Sequence, residues 1–224
     1  ISIAEYGKHP KERAQAVKYL SKYFKEDKSL ASVYEKATKD QSYNVLGNGI
    51  KALSNLDAKK GMELAKANEN VKSAKINNII AEIYASHGTP AEHEFFTKNI
   101  SELSAMNKYG FLQNYNAYLM NQENKEIAKG IPVFKDIAEN ESMWFVKLSG
   151  YQLLKGLQSH YTKESSTLET SIASFEAEGN AMKAADSKKD LNFCKAKITE
   201  ISSILNTLKQ NETDGNVKKY LGIK

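Results

Sequence analysis

Lys75-Ile76-Asn77-Asn78-Ile79-Ile80-Ala81-Glu82-Ile83-Tyr84 is the stretch that decides the fold class of this chain. Its apolar residues fall at 76, 79, 80, 83 and 84, the i, i+3, i+4, i+7 rhythm that draws one stripe along a helix. A half-buried strand would alternate with period two, and this segment does not. The same spacing recurs upstream in Val17, Leu20 and Phe24, and again in Val45/Leu46, Gly49/Ile50 and Leu53. Downstream it returns in Leu112, Tyr115 and Leu119, then in Trp144, Leu148 and Tyr151. Only Ile1–Ala4 leaves room for a strand remnant. Prolines stand at 10, 90 and 132 alone, so residues 11–89 and 133–224 carry no obligatory breaker.

The boundaries between stripes carry cap chemistry. Pro10 suits a first helical position, and Ser42 and Asp57 can accept the orphan N–H groups of a first turn. Gly88 can close a helix in the left-handed conformation. Thr89-Pro90-Ala91-Glu92 then restarts one as a capping box, and Ser166-Thr167-Leu168-Glu169 repeats that signature. The linkers are short, which predicts antiparallel helical neighbours.

Weak self-similarity runs through the first half. Val17/Leu20, Ile50/Leu53 and Ile80/Ile83 share one internal spacing and lie 33 and 30 residues apart, about the length of a helical hairpin. Such a unit cannot bury its stripe alone and must stack on the next, which predicts HEAT-like antiparallel hairpins in a short α-solenoid. In the last third, Leu191, Cys194, Ile198, Ile201, Leu205 and Leu208 form a seam of heptad type. Leu168, Ile172, Phe175, Gly179 and Met182 form a second, with a polar break near Asp186–Lys189. Together they predict a longer terminal hairpin. The fold class expected is all-α. Residues 1–9 read as a tail or a linker remnant from an upstream domain, and 10–224 as one helical-repeat domain with 130–132 as a candidate sub-boundary.

Composition agrees with that class and excludes others. The 224 residues are 41% hydrophobic and 26% charged, with twelve Gly and three Pro, too few for a collagen-like, low-complexity or turn-rich all-β chain. One Cys excludes a disulfide framework and a Cys-rich zinc module. No run of about 18 apolar residues exists, so no membrane span is expected. A chain of this size buries roughly 70% of its unfolded surface, enough for one continuous core or two small ones. The formal charge is +5, carried by lysine, since Arg13 is the one arginine. Without guanidinium forks, and with lysines interleaved with acids as in Lys22–Lys28 and Lys183–Lys197, the basic residues read as solvated helix faces and nucleic acid is not expected as a partner. The opening Ile1-Ser2-Ile3 lacks an initiator Met and reads as a piece of something longer or a mature form, which leaves the compartment open between cytoplasmic and periplasmic or secreted.

Chemistry-bearing patterns are decoys. His93-Glu94-Phe95-Phe96-Thr97 approaches a helical zinc-protease motif, but Thr97 stands where the second imidazole must be, and the Gly88-Thr89 break separates His87. It reads as a surface His with Phe95 and Phe96 turned inward. Gly47-Asn48-Gly49-Ile50-Lys51-Ala52 spells a dinucleotide fingerprint without the strand that motif requires, so its small residues read as a close helix–helix approach. Cys194 lies on an apolar seam and reads as structural. Tyr109, Phe111, Tyr115 and Tyr118 read as helix packing with exposed phenol ends. No Ser–Lys pair or nucleophile elbow exists, and no carboxylate pair can be nominated for acid–base work. The residues nominate no catalytic, cofactor-binding or metal-ligating side chain.

The stretch Ala37-Thr38-Lys39-Asp40-Gln41-Ser42-Tyr43-Asn44-Val45, followed by Ile50-Lys51-Ala52-Leu53 and Asp57-Ala58-Lys59-Lys60-Gly61-Met62-Glu63-Leu64-Ala65, resembles the C-terminal helical repeats of bacterial aminopeptidase N-type zinc metallopeptidases. Arg13-Ala14-Gln15-Ala16-Val17-Lys18-Tyr19-Leu20 fits the preceding helix of that pattern. The likeness covers about residues 9–85. From there to Ser159 only the helical rhythm agrees, and 160–190 has no counterpart. The resemblance implies a parent that removes residues from peptide N-termini with a zinc ion. The family's H-E-x-x-H helix, downstream Glu and G-x-M-E-N segment do not occur in 1–224, so no catalytic role transfers. It further implies a non-catalytic C-terminal domain, inactive by itself, that covers the parent's own catalytic domain and restricts peptide access at a concave face. Zinc would then belong to the parent and no cofactor to this chain. The alternative is a free-standing α-solenoid scaffold that binds a protein or peptide partner.

Overall fold

A short segment with no neighbouring strand can pair its own backbone groups only by coiling. Ser2–Tyr6 does so as helix α1, with the N–H groups of Glu5 and Gly7 donating to the carbonyls of Ile1 and Ile3 and Ala4 buried. The strand remnant expected at Ile1–Ala4 is therefore corrected to a helical turn, which packs on the two helices that follow. The computed structural model describes residues 1–223, and among them every regular element is helical, with no strand. The chain is all-α. None of these helices is long and apolar enough to cross a membrane. The described residues divide into two compact units, Ile1–Gln122 and a second that begins at Glu123.

The first unit continues with α2 (Pro10–Tyr23), α3 (Ala31–Ala37), α4 (Tyr43–Leu56), α5 (Ala58–Ala67), α6 (Ala74–His87), α7 (His93–Glu102) and α8 (Ala105–Met120). Pro10 opens α2 as its first residue. Asp57 caps α5 by accepting from the Lys60 N–H, as its side chain promised. Ser42 occupies the cap position of α4 without a side-chain bond; instead the Asp40 carboxylate accepts from the Ser42 N–H at 2.9 Å. Thr89 and Glu92 form the reciprocal capping box. Gly88 does end α6, but with φ −68° and ψ 153° it is extended rather than left-handed, because the chain runs straight on into that box.

Stacking follows from which side of each helix is apolar. Helix α4 meets α2, α3, α5 and α6, and α6 meets α8. Gly49 of α4 lies so close to α3 that a Cβ there would sit 2.9 Å from both the Ala37 Cβ and the Thr38 nitrogen, while Gly61 of α5 abuts Ser54. Gly47 faces Ile76 and Ile79, and Lys51 pairs with Glu82, so α4 and α6 run in the same direction. Val17, Tyr34, Val45 and Leu53 are buried together at the α2–α4 end. At the other end, Phe96 stacks on Tyr118 at 4.8 Å between ring centres and touches Tyr115 and Phe111 at 5.2 and 5.6 Å. Such ring pairs add about 0.5–1.5 kcal/mol each beyond burial.

The second unit contains α9 (Asn124–Ile127), α10 (Gly130–Asn140), α11 (Trp144–Ala177), α12 (Ala181–Asn211) and α13 (Gly215–Leu221). Gly130, Ile131 and Pro132 open α10. Helices α11 and α12 form the long hairpin, with Cys194, Ile201, Leu205 and Leu208 buried along the seam. Two details differ from expectation. Ser166–Glu169 does not restart a helix: the Ser166 and Thr167 hydroxyls donate to the carbonyls of Thr162 and Lys163, one turn back, and α11 runs through. The hairpin turns at Glu178–Asn180 and not at Asp186–Lys189, because Gly179 adopts a φ of 71° that side chains disfavour and Asn180 caps α12. Asp186 and Lys189 instead form an exposed ion pair at 3.1 Å. Gly179 and Met182, assigned to the seam by spacing, lie in the turn and 75% exposed, and Ala184 takes the buried place.

Candidate functional site: a lysine and asparagine groove

The faces of α2, α4 and α6 turned away from the core converge on a groove of about 960 Å³. Helical spacing explains its lining. Lys11, Gln15, Lys18 and Lys22 follow one another at gaps of 4, 3 and 4 along α2, opposite the stripe that buries Val17, and Lys25 follows in the turn beyond its end. Asn44, Asn48, Lys51 and Asn55 do the same on α4, and Lys75, Asn78 and Glu82 on α6. Asn107 of α8 completes the wall.

Charge on this surface is one-sided. Glu82 is the acid among the described lining residues, and its partner is Lys51. Lys75 is exposed, yet the recess strips enough water to press its pKa below the ordinary lysine range, and the nearby positive charge of Lys18 pushes the same way. The amides have different tasks. Asn48 donates to the Ala14 carbonyl at 2.7 Å and so ties α4 to α2, whereas the Oδ1 of Asn78 is buried without a hydrogen-bond partner. Sequence reasoning missed this groove, taking the lysines for a solvated face. The signal was present in the 4-3-4 spacing of Lys11, Gln15, Lys18 and Lys22 on α2 and the equal spacing of Asn44, Asn48, Lys51 and Asn55 on α4.

The decoy residues occupy structural places. His93 opens α7 with its Nε2 2.8 Å from the Tyr115 hydroxyl, and the Thr97 hydroxyl donates to the Glu94 carbonyl. Phe95 and Phe96 are buried as expected. Among the described residues no group of three or more His, Cys, Asp or Glu gathers in a metal-holding arrangement. Gly47 and Gly49 lie inside α4 against neighbouring helices. Cys194 is fully buried, and desolvation raises its thiol pKa, with Glu164 and Asp190 adding to the shift. Phe111, Tyr115 and Tyr118 are core residues, while Tyr109 is 45% exposed. The exposed phenol ends expected from the sequence are corrected for two of them: the Tyr118 hydroxyl donates to the Thr89 carbonyl at 2.6 Å, and the Tyr115 hydroxyl meets His93.

The second unit holds one buried charged cluster. The Glu212 carboxylate lies 3.2 Å from Lys147 and 2.8 Å from the Tyr151 hydroxyl, and accepts from the N–H groups of Thr213 and Asp214. Burial alone would raise its pKa, but these donors outweigh burial and hold it below the usual range. These contacts fasten the end of α12 to α11. No family model, curated protein or solved structure matches the chain.

Proposed function

We propose that this chain is a non-catalytic helical docking domain that holds peptide in the groove of α2, α4 and α6. The observation that carries the reading is the groove itself: three neighbouring helices turn mainly cations and amides into one recess, with Ala14 and Ile79 at its floor as the apolar members. Lysines at helical spacing attract carboxylates, and amides match a peptide backbone because each offers both a donor and an acceptor. Stacked hairpins supply such a surface without any moving part.

The larger protein in this proposal is a zinc-dependent aminopeptidase of which these helices form the C-terminal part, covering the catalytic domain and restricting peptide access. What supports it is the resemblance over residues 9–85. The residues that carry it have architectural jobs: Asp40 binds Arg13 and the Ser42 N–H, and Asp57 caps α5. An exposed apolar patch on α1 and α2, including Ile1, Ile3 and Tyr19, is a suitable face for packing against another domain. The same groove also serves a free-standing scaffold, and the reading frame upstream of Ile1 separates the two. Several hundred residues ending in a β-rich segment and containing H-E-x-x-H are expected; a start codon within a few tens of residues would reject the aminopeptidase and leave the scaffold. Alanyl and leucyl anilides offered to the purified chain with added zinc should stay intact, and chelator-sensitive turnover would contradict both.

A further inference from the structure

We infer that the groove selects an extended, acidic peptide segment, its carboxylates set on the lysines of α2 and α6 and its backbone on the amides of α4. The inference rests on the docking reading above and adds the chemistry of the occupant.

Charge comes first. Lys11, Lys18, Lys22, Lys25 and Lys75 line the recess, and the one acid on its wall, Glu82, is already paired with Lys51. Lys18 stands close enough to Lys75 to disfavour the charge on Lys75, beside the larger effect of lost water, so an anion between them removes a repulsion as well as making two contacts.

Spacing comes second. A helix rises about 1.5 Å per residue, so lysines four apart, such as Lys18 and Lys22, are about 6 Å apart along α2. An extended peptide advances about 3.3–3.6 Å per residue, which puts alternate side chains about 7 Å apart. Acids at every second position therefore keep step with this row. The fourteen residues of α2 span about 21 Å, room for about six extended residues.

The lining also argues for peptide over nucleic acid. It contains no arginine and no aromatic ring, the groups that grip phosphate in two places and stack on bases. It contains instead a row of amides on α4, groups that pair with a peptide backbone.

The test is a fluorescence anisotropy titration of the full chain with labelled peptides of about eight residues: Glu alternating with Ala, Gln alternating with Ala, and Lys alternating with Ala. A single-stranded oligonucleotide of matching charge is the fourth probe. The acidic peptide should bind at least about tenfold more tightly than the neutral one, and raising salt from about 50 to 300 mM should weaken it severalfold. Lys18→Glu with Lys75→Glu should cost about tenfold or more, while Lys155→Glu with Lys163→Glu on the exposed side of α11 should change little. All four positions are exposed, and circular dichroism establishes that each variant is folded; Lys18→Gln with Lys75→Gln is the milder pair and should weaken binding in the same direction. Equal binding of acidic and neutral peptides would overturn the inference and leave the docking reading standing. No binding of any peptide up to about 1 mM would overturn both. Tighter binding of the oligonucleotide than of the acidic peptide would overturn the inference in favour of a polyphosphate ligand.

Discussion

Arg13 reaches across 27 residues of sequence to grip Asp40 with two hydrogen bonds, Nε to Oδ2 at 2.8 Å and Nη2 to Oδ1 at 3.1 Å. The same guanidinium donates to the Gly7 carbonyl at 2.8 Å, so one side chain fastens α1 and α2 to the turn that launches α4. A planar fork fits this geometry and a lysine would not, which accounts for the single arginine in a lysine-rich chain.

The Arg13 hydrogen bond is the main cause that holds the Asp40 carboxyl below its ordinary value of 3.8, against the opposing pull of burial. A carboxyl depressed on folding stabilises the protein fully above its unfolded pKa and loses that contribution as pH falls through the folded value. Asp40→Asn should therefore lower the urea midpoint at pH 7, and the gap between variant and parent should shrink on acidification below about 4. A gap that is constant from pH 7 to pH 2 would show that ionisation of Asp40 contributes nothing to stability.

Glu212 is buried at the end of α12 with Lys147 and Tyr151 around it. Tyr151→Phe removes one neutral donor and should cost about 1–2 kcal/mol. Lys147→Met leaves a buried carboxylate without its cation and should cost more, roughly 2–4 kcal/mol. Protonating Glu212 relieves that second penalty, so the Lys147→Met deficit should narrow as pH drops below its ordinary 4.5. Urea denaturation at pH 7 and pH 3.5 reads both effects.

Two glycines inside helices should respond in opposite directions. A methyl group at Gly49 would press on the Ala37 Cβ and the Thr38 backbone at 2.9 Å, atoms that cannot swing aside, so Gly49→Ala should destabilise by about 1–3 kcal/mol. Gly156 in α11 has nothing within 4 Å of such a methyl, so Gly156→Ala should stabilise by about 0.5–1 kcal/mol. Thermal denaturation of both variants checks the sign.

Cys194 is enclosed between α11 and α12, and burial raises its thiol pKa. A disulfide reagent should modify it at least about a hundredfold more slowly in the native protein than in urea. Comparable rates would mean that the long hairpin opens readily.

The sequence disclosed the helices because their stripes are long and regular: Ile76, Ile79, Ile80, Ile83 and Tyr84, and Cys194, Ile201, Leu205 and Leu208, lie buried where their spacing puts them, with Leu191 and Ile198 half-buried. It misled where the same letters serve two structures. Ser166 and Glu169 spell a cap, yet in mid-helix the hydroxyl of Ser166 bonds back to Thr162, and only the continued packing of Ile172 decides between these outcomes. Gly179 fell at a heptad position, and its turn role appears only once φ is known. The groove was hidden for a different reason. Lys18 and Lys75 are distant in sequence, and nothing within either helix says that the two face one recess.

Backbone amide chemical shifts of the isotope-labelled chain, followed during titration with the acidic peptide, measure the central claim most directly. The account expects the largest changes to cluster on α2, α4 and α6, around Lys18, Asn48, Lys75 and Asn78, with α11 and α12 unmoved. Changes centred on the α11–α12 hairpin, or a spectrum that the peptide leaves untouched, would contradict it.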